Sequence, residues 1–551
     1  MNYRSKLSLA LAVALGLLVL VALVFVTGQS ARANGNGIRY VAAAGVDSGT
    51  CADAGTPCRT VQYAVDQALA DDEVRVATGV YTGVQTRAGI TQVVYISKTI
   101  AVRGGYRADF GVWNPSVYTT TLDAQGQGRV IYATGPDITV TLESLHLTGG
   151  SAVGTGDRGG GLCVIEADLR MRNSNVYSNT AEAYGGGIHV FQSGATLEAN
   201  TVQSNTVLAP EYYHGGGALY AGSSKLTLID NDIYENISNE RAGGVYLDGM
   251  SGNATIVGNR FTGNWGLGRE GGGFHLRNGT AFLSENTFRD NHAHWGGGVY
   301  ADYGTITLTH NLFVSNTVFV YSGGAVSLLE SIGTLEHNTI MSNTAQSRGG
   351  GFHAYNQYNS NARVTLDGNL ILGNHAKDDG GGVFVMGQLV AYLTNNVIAD
   401  NRADDYGDGM SSWGPTTHLL HNTLAHNDGS GLRVEAGSVY LTNTLFFSHT
   451  LGIDNDGGAV TATMTLWDDV VTPTLGTIHE SGSFTGTAAF AADGYHLTET
   501  SDAVEAGLDA GVRRDVDGEL RPMGVKPDIG ADEYPMPLIY LPLVLSNVTA
   551  R

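Results

Sequence analysis

A block of glycines returns along this chain at a nearly constant interval. It reads DRGGGLCV, AYGGGIHV, EGGGFHL, HWGGGVY, SRGGGFHA and DDGGGVFV, among others, with its last glycine running from Gly161 to Gly431. Successive blocks are 22 to 31 residues apart. A second block keeps the same beat, as in NTFRDN, NLFVSN and NTIMSN, and its closing asparagine runs from Asn179 to Asn427. Between the two lie alternating segments such as KLTLIDN and TITLTHN. Each period therefore holds three short alternating stretches of strand length and no helical beat. A repeat of this length means a stacked array. Three strands per period without a helix predict an all-β fold, a right-handed parallel β-helix of roughly 11 or more coils. A β-propeller blade needs about 40–50 residues and four strands, which is longer than this period.

The repeat chemistry fits that fold. Asparagine at a coil corner tolerates the left-handed region and bonds its own backbone, and stacked asparagines form amide ladders. The glycines turn the chain where side chains of adjacent coils would collide. The apolar residues beside both blocks fill the core. Alternation after the glycines points every middle residue outward, giving the column Cys163, His189, Leu219, Tyr246, His275, Tyr300, Val326, His353, Phe384, Ser411 and Arg433. Aromatic and imidazole rings suit stacking on sugars. His189, Tyr246, His275, Tyr300, His353 and Phe384 are thus the expected ligand-binding residues. The competing reading is a set of cross-strand aromatic pairs that only stabilise the sheet. One metal on this column is excluded, because His189, His275 and His353 are three coils apart, about 14 Å at strand spacing.

A formal charge of −22 argues against nucleic acid and against anionic lipid as partners. The first 33 residues carry Arg4 and Lys6, an apolar run from Leu7 to Val26, and Ala31-Arg32-Ala33. This is a signal peptide cleaved before Asn34, or else a retained signal anchor. Either places the remainder outside the cell, secreted or on the surface, and after cleavage no transmembrane helix is expected. In such a compartment Cys51 and Cys58 are expected to form a local disulfide, with Cys163 a free thiol. The expected divisions are an N-terminal cap at 34–90, the β-helix at 91–480, a closing segment at 481–534 and an apolar tail at 535–551. The tail contains LIYLPLVL, read either as a final strand or as a sorting signal.

Carboxylates gather before the later glycine blocks, where Asp378, Asp379, Asp404, Asp405, Asp408 and Asp428 accompany Lys377 and Arg402. The first five are a candidate Ca²⁺ site. Asp379 and Asp405 with Arg402 are candidates for acid, base and cation in glycan cleavage. Asp before Gly is equally ordinary turn sequence. Asp515, Asp517 and Glu519 in RRDVDGEL look like half a calcium loop, or a turn.

The pairing of GG-[AVIFL] with [FIVL]-x-x-N resembles the repeat of polymorphic outer-membrane proteins, exported β-helix proteins of bacterial surfaces, over about residues 159–431. Residues 40–83 and 507–534 resemble the ends of secreted, pectin-lyase-like β-helix proteins. That resemblance implies a short capping helix in TVQYAVDQA, with Val61, Ala64, Val65 and Ala68 as its apolar face, and ends that shield the open edges of the rod. Polysaccharide lyases of this fold combine Ca²⁺ with a basic residue. The family's combined pectinolytic signature, an Asp-Asp and a Gly-His on adjacent strands with a following Arg-x-Lys, is not found in this sequence. The expected function is therefore that of an exported, monomeric surface protein, adhesin-like or carbohydrate-binding and without catalysis. The alternative is a polysaccharide lyase or glycoside hydrolase working in a groove along the rod.

Overall fold

The computed structural model describes residues 37–154, 157–208, 214–359 and 361–535. The expected signal peptide or anchor and the LIYLPLVL tail lie outside the described residues. Among the described residues the chain winds as an all-β parallel β-helix of about 13 turns with a single helix near the N-terminal end. One period shows how. Strands Phe274–Arg277, Thr280–Ser284 and Thr287–Arg289 are the three that alternation predicts. Each pairs in parallel with its equivalent one coil on, Phe274 opposite Val299, Ala281 opposite Ile306 and Phe288 opposite Phe313. A fourth strand of two residues, His292–Ala293, follows the second asparagine and belongs to a separate ten-stranded sheet. Inward residues of successive coils stack, as in Phe261, Phe288 and Phe313, whose ring centroids are 4.6 and 4.9 Å apart.

The corners differ from expectation in one respect. The left-handed backbone falls on the residue before each asparagine, such as Glu285 at φ 56° and Asp290 at φ 51°. The asparagines themselves turn inward. Asn291 is fully buried, and its Oδ1 accepts hydrogen bonds from both the N–H and the Nδ2 of Asn264. Its own Nδ2 donates to the Phe261 carbonyl and to Asn316 Oδ1. The pattern repeats from Asn179 to Asn427, and a second ladder runs from Asn200 to Asn422. A buried amide is costly unless it is bonded, and these amides are bonded coil to coil.

The glycines of EGGGFHL serve different purposes. Gly271 has φ +74°, and a Cβ there would stand 2.8 Å from His275 Cβ. It reverses the chain so that the preceding residue lies back over the strand. At Gly272 the obstacle is backbone, since a Cβ would lie 2.3 Å from the Gly297 carbonyl oxygen of the next coil.

At the N-terminal end, helix Val61–Gln67 is capped by Thr60, whose side chain accepts from Tyr63 N–H. Val61, Ala64, Val65 and Ala68 are buried in the main core, as expected of a cap. Cys51 and Cys58 are disulfide-bonded. The other end departs from expectation. Residues 488–534 do not continue the core but pack on the flank, against outward side chains from Leu370 and Val397 to Leu445 and Leu466. Arg521, 2% exposed, anchors them through the carbonyls of Gly530 and Ala531, His421 Nδ1 and an ion pair with Glu533. The edge strand Ile478–Ser481 stays largely exposed. The outward apolar residues of the late coils explain this, because they need the cover more than the edge does.

Candidate functional site

Strand register fixes the column that follows the glycines. It runs Cys163, His189, Tyr220, Tyr246, His275, Tyr300, Ser327, His353, Phe384, Ser411 and Arg433. Tyr220 and Ser327 replace the expected Leu219 and Val326. In those two coils alanine takes the third glycine position (Ala218 and Ala325), so counting from the last glycine slips by one residue.

The column points away from the core but is not a surface. His189, Tyr246, His275, Tyr300, His353 and Phe384 are each at most 4% exposed, so the expected ligand-binding face is closed. The chain just before each glycine block lies over it. Tyr184 sits 4.4 Å from the Tyr220 ring, Arg241 donates to Tyr246 Oη at 3.2 Å, Trp295 lies 5.6 Å from the His353 ring, and the Arg348 guanidinium is 5.1 Å from Phe384. Alternation reports the direction of a side chain, not what covers it. Cys163 is sealed in the same layer, and burial pushes its thiol up to about 12, which makes it unreactive.

These enclosed histidines give the rod a pH dependence. Burial first, and then nearby arginines, lower His189 and His353 to about 3; burial likewise lowers His449 to about 3. Their neutral forms belong to the folded state, so the contribution is complete above pH 6.5 and is lost as pH falls toward 3. The stability-versus-pH slope of His353→Gln between pH 6 and 4 should be shallower than wild type by up to about 1.4 kcal/mol per pH unit, measured by denaturant titration. Parallel slopes would show that His353 is not held neutral.

The expected aspartate cluster does not converge. Asp378 accepts from Ser347 Oγ at 2.7 Å, and Asp404 pairs with His375 at 3.1 Å and Arg402 at 3.3 Å. Asp408 is a turn residue whose two oxygens accept from the N–H groups of Ala403 and Ser430. The Asp405 carboxylate bonds none of them, its backbone N–H alone donating to the Asp378 carbonyl at 3.2 Å, and Arg402 points to Asp404 and Asp428. Asp379 instead turns toward Arg348, at 3.1 Å, and neighbours Glu435. Burial raises both carboxyls, and the charge of Asp379 raises Glu435 further. Arg433 lies 3.5 Å from Glu435 and 4.0 Å over the Tyr406 ring, while Arg348 lies 5.1 Å over Trp413. Tyr406 and Trp413 are exposed, so the column opens at its C-terminal end into a charged, aromatic-edged patch.

A second face carries rings that are open along several coils. The first residue of each two-residue strand points outward, and on successive coils these are Ile237, Trp265 and His292. The Trp265 and His292 centroids are 4.2 Å apart, and Phe319 joins them at 5.7 and 5.5 Å. Trp265 and Phe319 are 36% and 44% exposed, with Ile237, Leu267, Val320 and Tyr321 exposed around them. Burial lowers His292, which keeps its imidazole neutral.

Residues 130–329 match the family model of the right handed beta helix region. No curated protein matches the chain. Among solved structures, XylC in complex with xylose is similar at 10% identity and a TM-score of 0.34, covering 81% of this chain and 86% of that one. A pectate lyase is similar at 13% identity and a TM-score of 0.24, covering 90% and 96%. A bacteriophage CBA120 tailspike protein is similar at 8% identity and a TM-score of 0.30, covering 75% of this chain and 56% of that one. Likenesses this distant carry no functional argument. The β-helix must be read from its own surface. Among the described residues no helix is long and apolar enough to cross a membrane.

The open stripe was readable in principle. In NWG, NHA and NTV the alternation continues past the second asparagine, and the residue directly after it is the outward one. Glu435 had no such signal, since the charge of Asp379 reaches it only through stacking of coils two periods apart.

Proposed function

We propose that this protein is an exported, monomeric surface β-helix that binds a polysaccharide along the Trp265–His292–Phe319 stripe without cleaving it. The observation that carries this reading is the set of open rings on neighbouring coils. Large exposed apolar patches on a folded chain mark contact surfaces. Flat rings beside a neutral imidazole offer a sugar both apolar area and a polar edge. The net charge of −22 favours a neutral glycan over an anionic one. The test is retention of the protein on a panel of insoluble polysaccharides. Wild type should be retained by at least one neutral member, and Trp265→Ala should lose that retention while keeping its β-sheet spectrum. Equal retention of the variant would defeat the proposal.

One observation favours a second reading, glycan cleavage. Asp379 and Glu435, each paired with an arginine that lies over an exposed ring, Trp413 or Tyr406, are both raised by burial, and the charge of Asp379 raises Glu435 further. A general acid needs a raised pKa to hold its proton at working pH. If this group is catalytic, the same panel should release reducing ends or unsaturated products, and Glu435→Gln should abolish the release.

A further inference from the structure

The closing segment brings together three pieces of chain at His496, Asp517 and Asp532. A ligating atom from each lies within 4.8 Å of the others. The imidazole is held at both nitrogens, Nδ1 by Asp493 Oδ2 and Nε2 by Asp517 Oδ2, each at 2.5 Å. Asp493 is itself fixed, because its Oδ1 accepts the N–H groups of Tyr495 and His496. Asp493 orients one ring nitrogen as the carboxylate partner of a metal-binding histidine does, while Nε2 is hydrogen-bonded to Asp517 and exchanges that bond for an ion on binding.

A separate observation concerns Asp532. It is only 4% exposed, yet its one hydrogen bond is from Leu497 N–H to Oδ2. Among the described residues it forms no ion pair, and no lysine or arginine pairs with Asp493, Asp515, Asp517 or Asp532. Asp515 is satisfied by the backbone N–H groups of Asp517, Glu519 and Glu533. A carboxylate taken out of water needs a positive charge, its proton or a metal beside it, and of these the structure supplies Asp532 with the charge of His496, which a divalent ion at the same point would replace. Its oxygen faces the same point as Asp517 and the histidine.

We propose that His496, Asp517 and Asp532 bind a divalent first-row transition ion of the Zn²⁺ class, with Asp493 as the orienting partner. An imidazole with carboxylates suits such ions, whereas Ca²⁺ takes oxygen ligands alone. Binding expels the proton that Nε2 shares with Asp517, and the ion then ties residues 493–496, 515–517 and 532 together on the flank of the rod. The half calcium loop in RRDVDGEL is thus completed from elsewhere in the chain, and by a different ion.

The experiment uses the full-length protein. It is loaded with Zn²⁺ at neutral pH, dialysed, and its metal content measured. The expected result is one retained equivalent, lost in His496→Ala and weakened roughly 10–100-fold in Asp493→Asn. Should a variant fail to fold, wild type alone decides. Its Co²⁺ adduct should show the visible absorption of a low-symmetry nitrogen–oxygen site, displaced by Zn²⁺ and not by Ca²⁺. Wild type that retains neither ion with its fold intact overturns the proposal. So does zinc retained equally by His496→Ala and Asp532→Asn, and so does displacement by Ca²⁺.

Discussion

Replacing Asn291 by alanine lowers the unfolding free energy by roughly 3–6 kcal/mol, because three buried groups lose their partners at once. They are the Asn264 N–H, one hydrogen of Asn264 Nδ2 and the Phe261 carbonyl. Water cannot reach them, since Asn264 and Asn291 are fully buried. Polar atoms stranded in this way cost about 1–3 kcal/mol each, and the sum falls short of additive where coils relax. Arg289→Ala, on the exposed side of the same coil, should change stability by no more than about 0.5 kcal/mol. Denaturant unfolding followed by far-ultraviolet circular dichroism makes the comparison. Because each coil touches only its neighbours, the loss can appear as an early partial transition. Equal stability of Asn291→Ala and Arg289→Ala would show that the ladder contributes little.

Gly272→Ala should be at least as damaging, costing more than about 3 kcal/mol, although alanine suits its backbone conformation. The added carbon would stand 2.3 Å from Gly297 O and 2.6 Å from His292 N, so two coils must part. Gly249→Ala separates this steric cost from a conformational one. Gly249 has φ +60° with nothing within 4 Å of a built Cβ, so alanine there costs only left-handed strain, about 1–2 kcal/mol. A smaller loss at Gly272 than at Gly249 would contradict the stacking account.

The rod was legible because repetition averages away local noise. Phe274 and Leu276 are core and Asn286 and Asn291 belong to ladders, both from spacing alone, whereas the helix whose Val61, Ala64, Val65 and Ala68 enter the core followed from the resemblance to secreted β-helix proteins. The Asn291 backbone was misjudged because a ladder asparagine must aim its amide inward, which leaves the left-handed corner to Asp290. His275 shows the sharper limit. Its direction follows from alternation, but its burial follows from the chain before Gly271 folding back, which a pattern of residues does not state. Asp379 illustrates the same limit from the other side. Its neighbours in sequence suggested a cluster with Asp405, whereas stacking pairs it with Arg348 and sets it beside Glu435. The closing segment was read as an end cap for lack of any signal that Leu370 and Val397 face outward and need cover.

The central claim is that the working surface is the open stripe of rings and not the sealed glycine column or the Asp379–Glu435 patch. The measurement that tests it most directly is the dissociation constant for whichever polysaccharide retains the protein, taken for wild type, for Trp265→Ala with Phe319→Ala, and for Trp413→Ala. The account predicts at least about tenfold weaker binding for the stripe variant, equivalent to about 1.4 kcal/mol, with Trp413→Ala unchanged and all three equally stable. Undiminished binding by the stripe variant, with loss in Trp413→Ala instead, would contradict it and move the site to the carboxylate patch.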